Sequence, residues 1–252
     1  MIALLAPGQG SQTEGMLSPW LQLPGAADQI AAWSKAADLD LARLGTTAST
    51  EEITDTAVAQ PLIVAATLLA HQELARRCVL AGKDVIVAGH SVGEIAAYAI
   101  AGVIARNAAG QIVAAGRLTA LEKLAEDPPA KARVRALGVA GAFHTEFMAP
   151  ALDGFAAAAA NIATADPTAT LLSNRDGKPV TSAAAAMDTL VSQLTQPVRW
   201  DLCTATLREH TVTAIVEFPP AGTLSGIAKR ELRGVPARAV KSPADLDELA
   251  NL

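Results

Sequence analysis

Gly89-His90-Ser91-Val92-Gly93 follows a short apolar run, Val85-Ile86-Val87, and precedes an Ala- and Ile-rich stretch without proline over 94–105. Strand, sharp turn and helix, with a serine at the tip, is the setting of the G-x-S-x-G nucleophile elbow. Glycines are needed there because the turn is tight and the strand and helix backbones pass close to each other. The turn pushes the serine hydroxyl outward. The N–H groups that follow open a helix N-terminus, which can hold an oxyanion. The alternative is a glycine-flanked turn whose serine only caps the helix.

The chain around this motif has 252 residues, enough for one large α/β domain or one such domain with a small insertion. Aromatic residues make up only 3% against 51% hydrophobic, so alanine, leucine and valine must build the core. That favours helices packed on a buried sheet. The net charge is -5 and no block of Lys or Arg stands out, which argues against nucleic-acid binding through a basic face. Cys78 and Cys203 are isolated, without metal spacing or a disulfide framework, and read as two buried or half-buried thiols in a reducing compartment. No apolar run approaches the ~18 residues of a membrane span. Met1 to Ala6 lacks a basic stretch and stops at Pro7-Gly8, so it does not read as a secretion signal. A soluble, cytoplasmic protein is expected.

Residues 2–6 are a first apolar run and read as a strand. Pro7-Gly8-Gln9-Gly10-Ser11-Gln12 breaks it. This loop either brings backbone and an amide side chain close to a ligand or simply joins a strand to a helix. Helical spacing is seen over 26–33, and Ser49-Thr50-Glu51-Glu52 is a helix start. Gln60-Pro61 is expected to open a helix to about residue 80, with Pro at its first position. The helix after Ser91 is apolar on nearly all sides and should be buried. Residues 111–116 and 133–139 read as strands and 119–124 as a helix, so 106–138 forms a small strand–helix–strand insertion. A helix over 146–163, a strand over 170–173 and a turn at Asn174-Arg175-Asp176-Gly177 follow. Helices over 183–194 and from Gln196-Pro197-Val198-Arg199-Trp200 to His210 come next. A strand over 212–218, a rigid Pro219-Pro220 turn, a helix over 224–232 and a last strand over 237–240 close the pattern. Alternating strands and helices argue for an α/β fold with a mostly parallel sheet.

A serine nucleophile needs a base. His90 adjoins Ser91, but neighbours along a strand point to opposite faces, so it reads as packing beneath the elbow. His71 reads as a solvent-facing residue in mid-helix, and His210 as a histidine at a helix C-terminus, favourable for dipole reasons alone. His144 lies in a Gly/Ala loop after a strand, where an imidazole can be presented at the sheet edge. A structural loop histidine is the alternative. No acid between Ser91 and His144 sits clearly on a strand end. A Ser–His dyad with a carbonyl or amide orienting the ring is therefore more economical than a triad.

Six motifs occur in one order: the 7–12 loop, Gln60-Pro61, Gly89-His90-Ser91-Val92-Gly93-Glu94, Gly141-Ala142-Phe143-His144, Gln196-Pro197-Val198-Arg199-Trp200 and Glu217-Phe218-Pro219-Pro220-Ala221-Gly222-Thr223-Leu224. In that order they resemble the malonyl-CoA:acyl carrier protein transacylases, and most are shared with the acyltransferase domains of polyketide synthases. The resemblance covers nearly the whole chain. It implies an α/β-hydrolase-like core with a parallel sheet and a small inserted ferredoxin-like subdomain, incomplete here: a large catalytic domain of 1–105 and 139–252, and a remnant at 106–138. It further implies transfer of malonyl from CoA to the phosphopantetheine thiol of acyl carrier protein, in fatty-acid synthesis, through a malonyl ester. Ser91 would be the nucleophile and His144 the base. The N–H groups of Val92 and Gln9 would hold the oxyanion, Gln60 would face the substrate, and Asn174 and the 220–222 turn would support the histidine. No cofactor is implied, malonyl-CoA being a substrate. The expected partners are malonyl-CoA and acyl carrier protein, with no membrane or nucleic acid, and the expected state is a monomer.

One departure stands out. After Gly102-Val103-Ile104-Ala105 the family continues with a long helix whose arginine pairs with the free malonyl carboxylate, a fork that selects malonyl over acetyl. Here Arg106-Asn107-Ala108-Ala109-Gly110 follows at once and resembles a later stretch of the small subdomain. Arg106 and Arg117 match other positions and do not replace that arginine. Either the sequence skips an internal segment and joins its ends, or the chain lacks it. The first is favoured, because deleting half a subdomain leaves unpaired sheet edges. A serine esterase or thioesterase, and a carrier-protein docking module that has lost catalysis, are the competing functions.

Overall fold

Ile2–Ala6 is apolar at every position, which suits a strand covered on both faces, and it forms the fully buried strand β1. The computed structural model describes residues 1–103 and 141–252. Within them β2 (Val85–Gly89) and β4 (Ala214–Glu217) flank β1, and β3 (Thr170–Leu171) and β5 (Ala237–Ala239) lie outside these. The order is β3-β2-β1-β4-β5 and every pairing is parallel. The fold is therefore α/β, as the alternation of strands and helices implies. Because all strands run one way, the loops leaving β1, β2, β3 and β4 emerge at one carboxyl edge, where such sheets bind ligands.

Side chains alternate across the strands and split the core in two. Leu4, Val87 and Val216 face α1 (Ala26–Ala37), α3 (Thr56–Arg76) and α4 (Gly93–Ile100), with α6 (Ala183–Gln193) on the same side. Leu5, Ile86 and Ile215 face α7 (Trp200–Glu209) and α8 (Thr223–Glu231). A four-residue helix α2 (Leu41–Leu44) and α5 (Leu152–Ala160) complete the α-helices among the described residues.

Several local expectations are corrected. The helix expected from Gln60 begins earlier, at Thr56, because the Asp55 carboxylate accepts the Ala57 N–H at 2.8 Å and caps it, which leaves Pro61 inside the helix. The start read at 49–52 is a single 3₁₀ turn, Glu52–Thr54. The helix after Ser91 stops at Ile100, since Gly102 takes a left-handed φ of 82° and ends it. Nor is it buried all round: Ile95 and Ala99 are exposed on its outer face. The helix expected over 146–163 is split, with a 3₁₀ segment over Glu146–Ala151 that contains Pro150 and only then α5. Cys78 is exposed, whereas Cys203 is buried as expected. His71 is half-buried rather than solvent-facing. Its ring meets Phe218 edge-on at 5.8 Å between centroids, and burial lowers its pKa. The two strands and the helix read within 106–138, Arg106, Arg117 and the junction at Ala105 all lie outside the described residues.

The turn after β4 is organised by one acid. Glu217 is fully buried and accepts the N–H groups of Gly222 at 2.9 Å, Leu224 at 3.0 Å and Ser225 at 2.8 Å. These are donors that the first turn of α8 leaves without helical partners, at the positive end of the helix. Glu217→Gln keeps the size but removes the charge and turns an NH₂ towards N–H donors. It is expected to cost about 2–4 kcal/mol of stability. Urea unfolding should show a lower midpoint with an unchanged slope.

Candidate active site

The elbow is built where two backbones nearly touch. A β-carbon on Gly93 would overlap the Ala6 and Pro7 carbonyl oxygens, and one on Gly89 would overlap the Gly93 carbonyl. Only glycine allows α4 to start so close to the ends of β1 and β2. The His90 N–H continues the ladder onto the Ala6 carbonyl at 2.6 Å, and Gly93 N–H closes the turn on the His90 carbonyl at 2.8 Å. Ser91, between them, is held at a left-handed φ of 51°. Such strain in a residue with a side chain is stored where the surroundings over-determine it. The Val92 side chain beyond it packs on Ala59 and Ile63 of α3.

His144 comes from the other direction, at the far end of the undescribed stretch, and also has a left-handed φ, of 66°. Its Nε2 lies 3.3 Å from Ser91 Oγ. Its Nδ1 lies 3.1 Å from the Gln193 carbonyl, and its backbone N–H donates to the Leu194 carbonyl at 2.9 Å. A carbonyl only accepts, so Nδ1 carries the proton and Nε2 is left to accept from the serine hydroxyl. Both carbonyls belong to the C-terminal turn of α6, the negative end of that helix. α4 and α6, which carry the two sides of this contact, are tied by Tyr98 Oη and Thr189 Oγ1 at 3.0 Å. Burial pushes the Tyr98 phenol up to about 12, so it stays a neutral hydrogen-bonding group.

The remaining candidates are distributed as follows. Neither the Val92 nor the Gln9 N–H takes a hydrogen-bond partner among the described residues, and Val92 stands at the N-terminus of α4. Gln60 is half-buried on α3, with no hydrogen bond to Ser91 or His144 among the described residues. Asn174 makes no hydrogen bond to His144 among the described residues. It is fully buried after β3, and its amide donates to Cys203 Sγ at 3.2 Å, its N–H reaches Glu94 Oε1 at 3.4 Å, and its carbonyl accepts from Arg199 N–H at 2.8 Å. The 220–222 turn serves Glu217 and α8. Sequence reading missed Gln193 and gave Glu94, quoted in the elbow motif, no role. Gln193 orients the imidazole through its carbonyl, which leaves no mark in residue identity beyond the helix end set by Gln196-Pro197. Glu94 is wholly buried and receives Asn174. Among the described residues no group of His, Cys, Asp and Glu side chains is arranged to hold a metal.

No family model matches the chain. The malonyl CoA-acyl carrier protein transacylase of Mycobacterium tuberculosis (strain H37Rv) is 83% identical, with all of both chains covered. That alignment spans 302 positions whereas this chain has 252 residues, so 50 positions of the relative face a gap here. The crystal structure of MCAT from Mycobacterium tuberculosis superposes with a TM-score of 0.95 at 83% identity, over 100% of both chains. A structure of a type II PKS acyl-carrier protein in complex with its malonyl-transacylase gives a TM-score of 0.85 at 27% identity, over 99% of both chains.

Beneath the elbow, His90 Nδ1 is enclosed without a partner among the described residues, and burial lowers the ring's pKa from 6.5 to about 4. Between those values the unfolded chain binds a proton that the folded ring refuses. Stability is therefore full above pH 6.5 and falls as the pH drops towards 4. Urea midpoints at pH 7 and pH 4.5 should show the wild type losing about 2 kcal/mol more than His90→Gln, which has nothing to titrate there. Equal losses would refute the assignment.

Proposed function

This chain belongs to the malonyl-CoA:acyl carrier protein transacylase family, and from that premise we propose that it moves malonyl from coenzyme A to the phosphopantetheine thiol of an acyl carrier protein through an ester on Ser91. The observation that carries the reading is the Ser91–His144 contact at 3.3 Å with the far ring nitrogen on the Gln193 carbonyl. Ser91 Oγ attacks the thioester carbonyl while His144 Nε2 takes its proton. The tetrahedral oxygen receives the N–H groups of Val92 and Gln9. The C–S bond then breaks, the CoA sulfur takes the proton from the imidazolium, and malonate stays on Ser91. In the second half the carrier thiol gives its proton to His144 and attacks the ester, and Ser91 Oγ recovers a proton as the acyl group leaves. No cofactor enters this chemistry.

The same proposal assigns the catalytic domain to 1–105 and 139–252, with 106–138 the remnant of an inserted subdomain. The resemblance of residues 106–110 to a later stretch of the small subdomain supports that division. Fatty-acid synthesis, a monomeric state and a cytoplasmic setting belong to it too. Among the described residues no helix is long and apolar enough to cross a membrane. The 50 unmatched positions of the relative favour a second reading, in which the fold still receives a carrier protein but acylates poorly or without selecting malonyl.

Intact mass after mixing with malonyl-CoA tests these readings. A malonyl adduct is expected on the wild type and none on Ser91→Ala, with acylation slowed about 10²–10⁴-fold in His144→Ala. An adduct that hydrolyses as fast without a thiol acceptor as with one would indicate an esterase. No adduct at all would indicate a docking module. Acetyl-CoA labelling as fast as malonyl-CoA would show that carboxylate selection left with the missing positions.

A further inference from the structure

Ser11 takes no part in the steps above, yet it bonds the peptide that supplies one of them. Its hydroxyl donates to the Gly8 carbonyl at 2.6 Å, a short and well-placed contact. The rest of the loop is held from other sides. Gly8 lies against His90, where a β-carbon would overlap the ring Nδ1 and the carbonyl oxygen. The Gln9 amide donates to Thr56 Oγ1 at 3.1 Å and to the Thr54 carbonyl at 3.3 Å, which ties it to the start of α3. Gly10 N–H turns onto Gln12 Oε1 at 2.7 Å.

A trans peptide is planar, and its C=O and N–H point in opposite directions. Holding the Gly8 oxygen therefore fixes the direction of the Gln9 N–H, which takes no partner among the described residues. Bonding at the oxygen also polarises the unit and strengthens the N–H as a donor. We propose that Ser11 is a positioning residue of the oxyanion site, its hydroxyl locking the Gly8–Gln9 peptide so that the Gln9 N–H is aimed before substrate arrives. The assignment rests on the Ser91 acyl-transfer reading. It accounts for the side chain at position 11 by chemistry: an alanine fills the same space and leaves the carbonyl unheld.

Single-turnover acylation by malonyl-CoA, followed by mass, tests it. In Ser11→Ala the saturating rate should fall about tenfold, with the half-saturating concentration within about twofold of wild type, because a donor aimed at the oxyanion acts in the transition state. Ser11→Thr, which keeps the hydroxyl, should restore the rate to within about threefold. Ser11→Cys keeps the shape with a weak donor, and it reads the same loss should the alanine variant be too unstable to assay. A wild-type rate in Ser11→Ala or Ser11→Cys, a loss confined to half-saturation, or no recovery in Ser11→Thr would overturn the assignment alone. No acylation of the wild type would overturn the transfer reading and this assignment with it.

Discussion

Everything at the carboxyl edge of the sheet depends on the space denied to a β-carbon at Gly93. Two carbonyl oxygens, of Ala6 and Pro7, occupy it. Because α4 can start against the end of β1, the loop after β1 and the turn after β2 share one small volume. That contact explains why the chain spends its first strand in the middle of the sheet, beside β2 and β4. A shift of β1 would carry the Ala6 and Pro7 carbonyls away from Gly93 and leave the elbow without its neighbour. The constraint is steric and local, yet it fixes the relation of segments more than eighty residues apart.

The second requirement is that the imidazole meet the serine, and it is satisfied from the opposite side. His144 leans on the last turn of α6, and α6 is tied to α4 by the buried Tyr98–Thr189 hydrogen bond. One buried hydrogen bond thus links the helix that follows Ser91 to the helix that holds His144. The left-handed backbone at both Ser91 and His144 fits this picture. Each residue is held in a conformation it would not choose alone, which needs rigid support on both flanks.

Much of this was legible in the sequence, for identifiable reasons. Residues 2–6, 85–87 and 214–216 are apolar without alternation, and buried parallel strands demand just that pattern. The glycines at 89 and 93 mark a close approach that no other residue permits. What stayed hidden is of another kind. Pro61 suggested a helix start, but the Asp55 cap six residues earlier set the boundary, and caps compete on energies of about a kilocalorie per mole. Asn174 fell where the resemblance placed a helper for the histidine, yet folding turns its amide to Cys203. The carbonyl of Gln193 could not be read at all, since every residue has one. Backbone groups do much of the work here, and residue identity is silent about backbone direction.

That silence bears on how charge is handled in the proposed reaction. When Ser91 attacks, a negative oxygen and a positive imidazolium form together. The oxygen develops near the N-terminus of α4, the positive end of that helix, and the imidazolium rests on the carbonyls that end α6, the negative end of the other. Each helix end supplies roughly 0.3–2 kcal/mol to a charge beside it. The two act in the same step and in the same direction. The buried acids of this edge are committed elsewhere, Glu217 to the N–H groups of α8 and Glu94 to Asn174. Among the described residues, fixed peptide dipoles therefore stand ready for the charges made in the proposed step, and they need no reorientation when the charge appears. For that reason the direction of one peptide, Gly8–Gln9, matters as much as the identity of any side chain around it.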